Sequence, residues 1–433
     1  EMVVDMQRFI IVFIAYNILF FLYRIFFKKE KSDLLLLFPL VVLFAVNINF
    51  FGFRYVIVGE QLSYTINSLV VYILLLFLYS INRNLKFDLL YLYFIIKLGY
   101  GCLQIASPSI FFNYPKFFIM YITDLTLFLL FFAIHNFKNI NVDKIIYNIN
   151  YLALFHGILS IIQFITKKSF LLTNWDGNLL YTEGVVDTFR TFGLAGSNNA
   201  AGNFGALLFI VIFFNFKRRG DLFSRLCLFL TIIATALSQT RIGIIGIIVG
   251  VVTYAILNIF KERKIKLSYN KVYLFLASFF VILLFFYISY DEIYQQLFLN
   301  RGDTASSRFI QFERVFNYAL QNHINFGIGL GQWRTYLYYS YSIVDLYIHS
   351  HYLSILAEQG ILIFSLFVFA NFYLLFKIVK KSSLDIFYKF LATCLFVVNI
   401  VCSNFNPNQL YFVNVITYYY IMFALYSYSC KKD

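Results

Sequence analysis

An all-α, polytopic membrane fold is the class this sequence predicts, and three observations predict it. Of its 433 residues, 61% are hydrophobic and only 13% charged, a balance outside that of soluble domains. Apolar runs of about 20 residues, the length that crosses a hydrocarbon core, recur from one end of the chain to the other. Aromatic residues make up 21% of it and prolines number four, which sets aside disordered and Pro-rich classes.

Spans are expected near residues 7–27, 34–51, 62–81, 89–107, 117–134, 145–165, 200–216, 222–238, 242–259, 272–290, 351–376, 386–404 and 410–428. The total is thirteen, or twelve if the first or the short 222–238 run lies at the interface. The organisation that follows is N-terminal spanning helices over 1–165, an outer loop over 166–199 and spanning helices carrying Arg241 over 200–290. A large outer loop over 291–350 and C-terminal spanning helices over 351–433 complete it. Met6-Gln-Arg-Phe reads as a start running straight into an apolar helix, with no cleavable leader expected.

Alternate loops divide by charge. One set, from Arg24, Lys28, Lys29 and Lys31 through Lys138, Lys144, Lys217, Arg218 and Arg219 to Lys377, Lys380, Lys381, Lys431 and Lys432, holds 23 of the 35 Lys and Arg but 8 of the 21 acids. Cytoplasmic loops retain such an excess. The formal charge of +14 therefore reports topology, and no nucleic-acid partner is implied. Five scattered cysteines without CxxC spacing read as small buried hydrophobes.

The polar chemistry falls in the two long outer loops and the spans beside them. In the larger loop Ser306–Leu320 is amphipathic: Phe309, Phe312, Phe316 and Leu320 share one face, with Arg308, Gln311 and Arg314 elsewhere, a pattern suited to a helix lying on the membrane surface or capping the bundle. Arg301, Arg308, Arg314 and Arg334 make this loop basic. Guanidinium forks grip phosphate oxygens in pairs, and Arg308, opening the helix after Ser306-Ser307, is the best placed to do so; pairing with Glu313, Asp303 or headgroups is the alternative. Arg241, in Ser238-Gln-Thr-Arg, sits between two apolar runs, where a charge either lines a polar cavity, pairs with an anion or snorkels to headgroups. Lys97, in mid-span, has the same ambiguity. Arg190, among Gly193, Gly196 and Gly202, is a further candidate for substrate binding.

Ile348-His-Ser-His-Tyr-Leu-Ser-Ile-Leu-Ala-Glu-Gln-Gly360 is the most informative stretch. His349 and His351 open a span, and Glu358 lies about two turns below His351 on the same face. Two histidines without a third ligand are a weak zinc signal; a general base fits better, since imidazole titrates near neutrality, and helix capping is the alternative. His135 and His156 read as structural. Phe326-Gly-Ile-Gly-Leu-Gly331 lacks the GK[ST] of a phosphate-binding loop and reads as a flexible turn. Trp333, Tyr336, Tyr338, Tyr339, Tyr341 and Tyr347 could stack on sugar faces or form an interfacial aromatic belt.

His349-Ser350, nine residues and Gly360 resemble the H-[N/S/Q]-x9-G signature of the O-antigen ligase and polymerase superfamily. Arg308 before its helix, Gly327-Ile-Gly-Leu-Gly331 and Ser238-Gln-Thr-Arg241 resemble its other landmarks in order, across roughly residues 190–365. The resemblance implies an inverting, metal-independent glycosyl transfer without cofactor, from an undecaprenyl-diphosphate-linked oligosaccharide to a sugar hydroxyl. It places the site on the periplasmic face of a bacterial inner membrane. It also implies that His349 is the catalytic base and that Arg241 and Arg308 hold the lipid diphosphate; Arg190, Arg314, His351, Trp333 and Glu358 are additional candidates for substrate contact. Phe312 and Ile363 depart from the ligase pattern while the framework is kept, so the expectation is a polymerase of the Wzy type, with membrane lipids and a chain-length regulator as partners. A ligase acting on lipid A core or on protein, and a lipid-linked oligosaccharide flippase, are the alternatives.

Overall fold

The computed structural model describes residues 2–26, 30–46, 48–57, 60–81, 88–106, 112–170, 179–183, 186–261 and 304–431. In chain order it runs α1 (Met2–Phe26), a 3-10 turn (Lys31–Leu37) leading into α2 (Phe38–Ala45), β1 (Asn49–Ile57), β2 (Glu60–Asn67), α3 (Leu69–Ser80), α4 (Leu89–Ala106), α5 (Tyr114–Asn136) and α6 (Val142–Thr166). Then come β3 (Leu180–Glu183), β4 (Val186–Phe189), α7 (Asn198–Arg219), α8 (Leu222–Leu237), α9 (Arg241–Lys261), α10 (Thr304–Arg314), α11 (Trp333–Tyr341), α12 (His351–Lys380), α13 (Ile386–Phe405) and α14 (Phe412–Lys431).

Eight of these helices, α1, α4 to α7, α9, α12 and α13, are long and apolar enough to cross a membrane. The expected span at 272–290 lies outside the described residues. The others change character. Residues 34–51 and 62–81 become the short α2 and α3 joined by the antiparallel hairpin β1–β2, in which Asn49 pairs with Asn67 and Ile57 with Glu60. The polar Asn47, Asn49, Gln61, Ser63 and Asn67 break up the apolar runs here, and the aromatic and β-branched residues between them suit paired strands. α8 spans 16 residues. α14 has the length of a span but is buried almost throughout, forming the centre of the core. Burying a tyrosine calls for a partner to its hydroxyl, and three of those on α14 have one: Tyr419 donates to Asn371 Oδ1 at 2.9 Å, Tyr420 to Leu35 O at 2.6 Å and Tyr426 to Asp88 Oδ2 at 2.7 Å, whereas the buried Tyr418 hydroxyl has none among the described residues.

α7 and α9 approach more closely than ordinary side chains allow. A Cβ on Gly243 would lie 2.5 Å from the Gly202 carbonyl oxygen, and one on Gly250 2.1 Å from Ile210. Small residues at such spacing are how helices pack where lipid gives no hydrophobic drive between them.

The basic loops gather at one end. Arg218, closing α7, pairs with Asp143 at 2.9 Å and lies over the Phe387 ring, Asn139 donates to Glu30, and Lys431 reaches the Phe137 carbonyl. The opposite end carries a crown built from α10, α11 and the segments around them. Gly360 decides how the crown docks. Its φ of +77° breaks α12, and the carbonyls released by the break accept from the crown: Ile328 N–H donates to Ala357 O at 3.0 Å and Gly329 N–H to Glu358 O at 2.9 Å. Any side chain on Gly360 would collide, because a Cβ would sit 2.3 Å from the Asn325 carbonyl oxygen. The glycine-rich 326–331 segment is thus a docked element with Gly327, Gly329 and Gly331 all at positive φ, where a flexible turn was expected.

Candidate active site

Three helix N-termini, those of α7, α9 and α12, lie at the crown end. Ser197 caps α7 and Ser350 caps α12, each hydroxyl accepting from the amide three residues on. Contacts link the three. Asn203 of α7 donates to Asn408 Oδ1 at 3.0 Å and accepts from Asn406 at 2.8 Å, Gln409 donates to Ile348 O at 3.0 Å, and Ser350 donates to Asn404 Oδ1 at 3.2 Å. Arg241 opens α9 two residues before Gly243, which abuts α7. Arg241 and His349 therefore belong to one contiguous end of the bundle.

Arg308 joins them through α10. Of the apolar face expected on this helix and the turn after it, Phe309 and Phe316 point outward at 72% and 57% exposure, which suits a membrane surface, while Phe312 is half-buried and Leu320 buried against the crown. Gln311, one turn after half-exposed Arg308, points inward and is buried. Its Nε2 donates to Leu346 O at 3.1 Å and to Tyr347 O at 3.0 Å. Its Oε1 accepts from the His349 N–H at 2.9 Å and lies 3.0 Å from His349 Nδ1. Arg314, a turn further on, pairs with Asp345 at 3.0 Å. These two latches hold α10 against the extended run that ends in His349, and the helix continues past them as a π-helical turn, Val315–Leu320.

The other sequence candidates have protein partners. Arg190 is almost wholly buried, its Nε donating to Ser238 O at 3.0 Å and its Nη2 to Asn199 Oδ1 at 3.1 Å; it ties the start of α7 to the turn before Arg241. Arg314 is engaged with Asp345 as above. Glu358 accepts from the amides of Gly331 and Trp333 and from Ser354, and so clips the crown to α12. Trp333 is fully buried and donates its indole N–H to Leu346 O at 3.1 Å. His351 faces the interior, its ring 5.3 Å from that of Phe367, beside a small cavity that also meets Lys97 and Asp124. Lys97 pairs there with Asp124 at 2.6 Å. His156 accepts from the Leu194 amide at 3.1 Å, a structural role as expected. Arg301 lies outside the described residues.

A cavity of ≈ 550 Å³ opens on the far face of α11, lined by Tyr100, Gln104, Phe112, His323, Tyr336 and Tyr339 among others. Trp333 and Leu337 face the core while Thr335 and Tyr339, half a helical turn away, face this cavity. Thr335 is buried, and among the described residues its hydroxyl has no hydrogen-bond partner. The cavity is lined by neither His349 nor the two arginines of the diphosphate expectation. Its aromatic rings interleaved with amides and hydroxyls give apolar walls with a few polar anchors, the make-up of a ligand pocket.

Residues 226–368 match the O-antigen ligase family. The matched segment contains Arg241, Arg308, His349 and Gly360 together, in agreement with the resemblance read from the sequence. With eight helices long and apolar enough to cross a membrane among the described residues, the chain is a multi-pass membrane protein whose 226–368 segment is similar to the O-antigen ligase family. No curated protein matches the chain. Gln311, in contact with His349, is the residue of this candidate site that the sequence did not disclose. It was visible only as a polar position on the helix of Arg308, three residues on, the spacing that sets two side chains side by side.

Proposed function

We propose that this protein is a polysaccharide polymerase that moves a growing glycan from undecaprenyl diphosphate to a hydroxyl of an incoming lipid-linked repeat unit, at the periplasmic face of the inner membrane. The acceptor oxygen bonds to the anomeric carbon from the face opposite the diphosphate, which gives inversion. The C–O bond to the diphosphate breaks with its electron pair going to phosphate, and the hydroxyl proton passes to the His349 imidazole. Charge accumulates on the departing diphosphate, where Arg241 and Arg308 stabilise it as fixed cations need no reorganisation.

The observation that carries this reading is the attachment of α10 to the His349 segment by Gln311 and Arg314, within the stretch that matches the family. It keeps Arg308 and His349 on adjoining pieces of backbone. The cavity beside α11 would receive saccharide of the acceptor.

The test is reconstitution in vesicles with undecaprenyl-diphosphate-linked repeat units as the sole substrate. A ladder of longer lipid-linked glycans is expected. No ladder, with transfer once lipid A core is added, would replace polymerase by ligase. Movement of intact lipid-linked oligosaccharide across the bilayer without any new glycosidic bond would replace both by transport.

A further inference from the structure

We infer that Gln311 is a positioning residue that sets the tautomer of His349, placing the ring proton on Nδ1 and leaving Nε2 as the nitrogen that takes the acceptor proton. The inference rests on the proposed role of His349 as base, and it can fail separately from it.

The geometry works by elimination. A glutamine amide has one oxygen that only accepts and one nitrogen that only donates. The His349 backbone N–H, a donor without alternative, stands 2.9 Å from one of the two positions, so that position is the oxygen. The other faces two carbonyl oxygens, Leu346 at 3.1 Å and Tyr347 at 3.0 Å, so it is the nitrogen. Rotating the amide by half a turn would set a donor against a donor and an acceptor against two acceptors, in a site where Gln311 is only 3% exposed and water cannot relieve the mismatch. The amide is therefore held one way round. Its oxygen also stands 3.0 Å from His349 Nδ1. Two acceptors cannot share a hydrogen bond, so Nδ1 carries the proton.

Neutral imidazole has one protonated and one bare nitrogen, and the partner of the first fixes which is which. With Nδ1–H donated to Gln311, the lone pair lies on Nε2, at the ring's far edge from α10. The imidazolium formed in the reaction keeps the same Nδ1 bond, so the base accepts its proton without turning. Gln311 thus does for His349 what a carboxylate does in a hydrolase triad, as a neutral amide whose direction is imposed by main-chain carbonyls.

The experiment is 15N spectroscopy of the full chain in nanodiscs with labelled histidine, the His349 signals being assigned by their loss in His349→Ala. A protonated Nδ1 and a bare Nε2 are expected in the neutral ring. Gln311→Met, similar in volume but without the amide, should populate the second tautomer and lower kcat on the order of 10- to 100-fold, with KM for the lipid-linked donor changed less than twofold. Gln311→Glu keeps an acceptor at Nδ1 and should hold the proton there, while its second oxygen, set against the Leu346 and Tyr347 carbonyls, limits the recovery of kcat to part of the loss. Arg314→Ala cuts the neighbouring latch to Asp345, and should leave the Nδ1 proton in place. A wild-type ring protonated on Nε2, or Gln311→Met with tautomer and kcat both unchanged, overturns the inference. So does Arg314→Ala matching Gln311→Met in the spectrum, which would make Gln311 a mere latch. Turnover surviving in His349→Ala would instead overturn the base itself, with the tautomer still legible in the wild-type spectrum.

Discussion

The crown and the interior of the bundle are held by different physics. In the interior, α7 lies against α9 through Gly202, Gly243 and Gly250, and α14 is wrapped by aromatic rings such as Phe38, stacked 4.1 Å from Tyr420. That packing is dense, a sum of many individually small apolar contacts with hydrogen bonds such as Tyr420 to Leu35 O set among them. The crown depends on a few directed bonds: Gln311 to the His349 segment, Arg314 to Asp345, Trp333 to Leu346 and Glu358 to the 331–333 amides. Shape is spread over many contacts, while the placement of the candidate site's groups is concentrated in single atoms.

Variants in the two regions should separate accordingly. His349→Ala should remove about 10²- to 10⁴-fold of turnover with thermal unfolding in detergent unaltered; a parallel loss of melting temperature would assign His349 to the scaffold. Asp124→Asn leaves Lys97 buried without its counter-charge and should destabilise the bundle by about 3 to 5 kcal/mol. Replacing both, Lys97→Met with Asp124→Leu, should recover most of that loss. Stability unchanged in the single variant would show that water reaches the pair.

Gly360→Ala should cost at least about 2 kcal/mol, from the strained φ and the contact with Asn325. Because it strikes the joint between the two regions, it should release the 326–331 segment to proteolysis before the bundle melts. Tyr339→Ala should have the smallest effect, a several-fold rise in acceptor KM without loss of stability. An unchanged KM would detach the α11 cavity from the saccharide.

The two histidines illustrate how much of the site was legible. His349 and His351 differ by two positions and are chemically identical, and the sequence marked both. Ser350, capping α12, divides them: His349 stays in the extended run and meets Gln311, whereas His351 enters the helix and packs on Phe367. The arginines divide in the same way. Asn199 is close to Arg190 in the chain, but nothing local announces that Ser238 will claim Arg190 or Asp345 Arg314, because those partners arrive from other segments.

What the sequence determined by itself was whatever depends on counting along the chain: a membrane-spanning all-α class from apolar run lengths, one basic end from alternating loop charge, and the His349 to Gly360 spacing. The tertiary structure alone decided which residues of 34–81 become the hairpin β1–β2 and that α14 sits at the centre of the core. It also decided that an amphipathic helix would turn Phe309 outward and Gln311 inward. The physical reason is that run length and charge are properties of single segments, whereas burial and hydrogen bonding are settled between segments. A lone polar side chain such as Gln311 takes its function from main-chain groups that only folding brings within 3.1 Å.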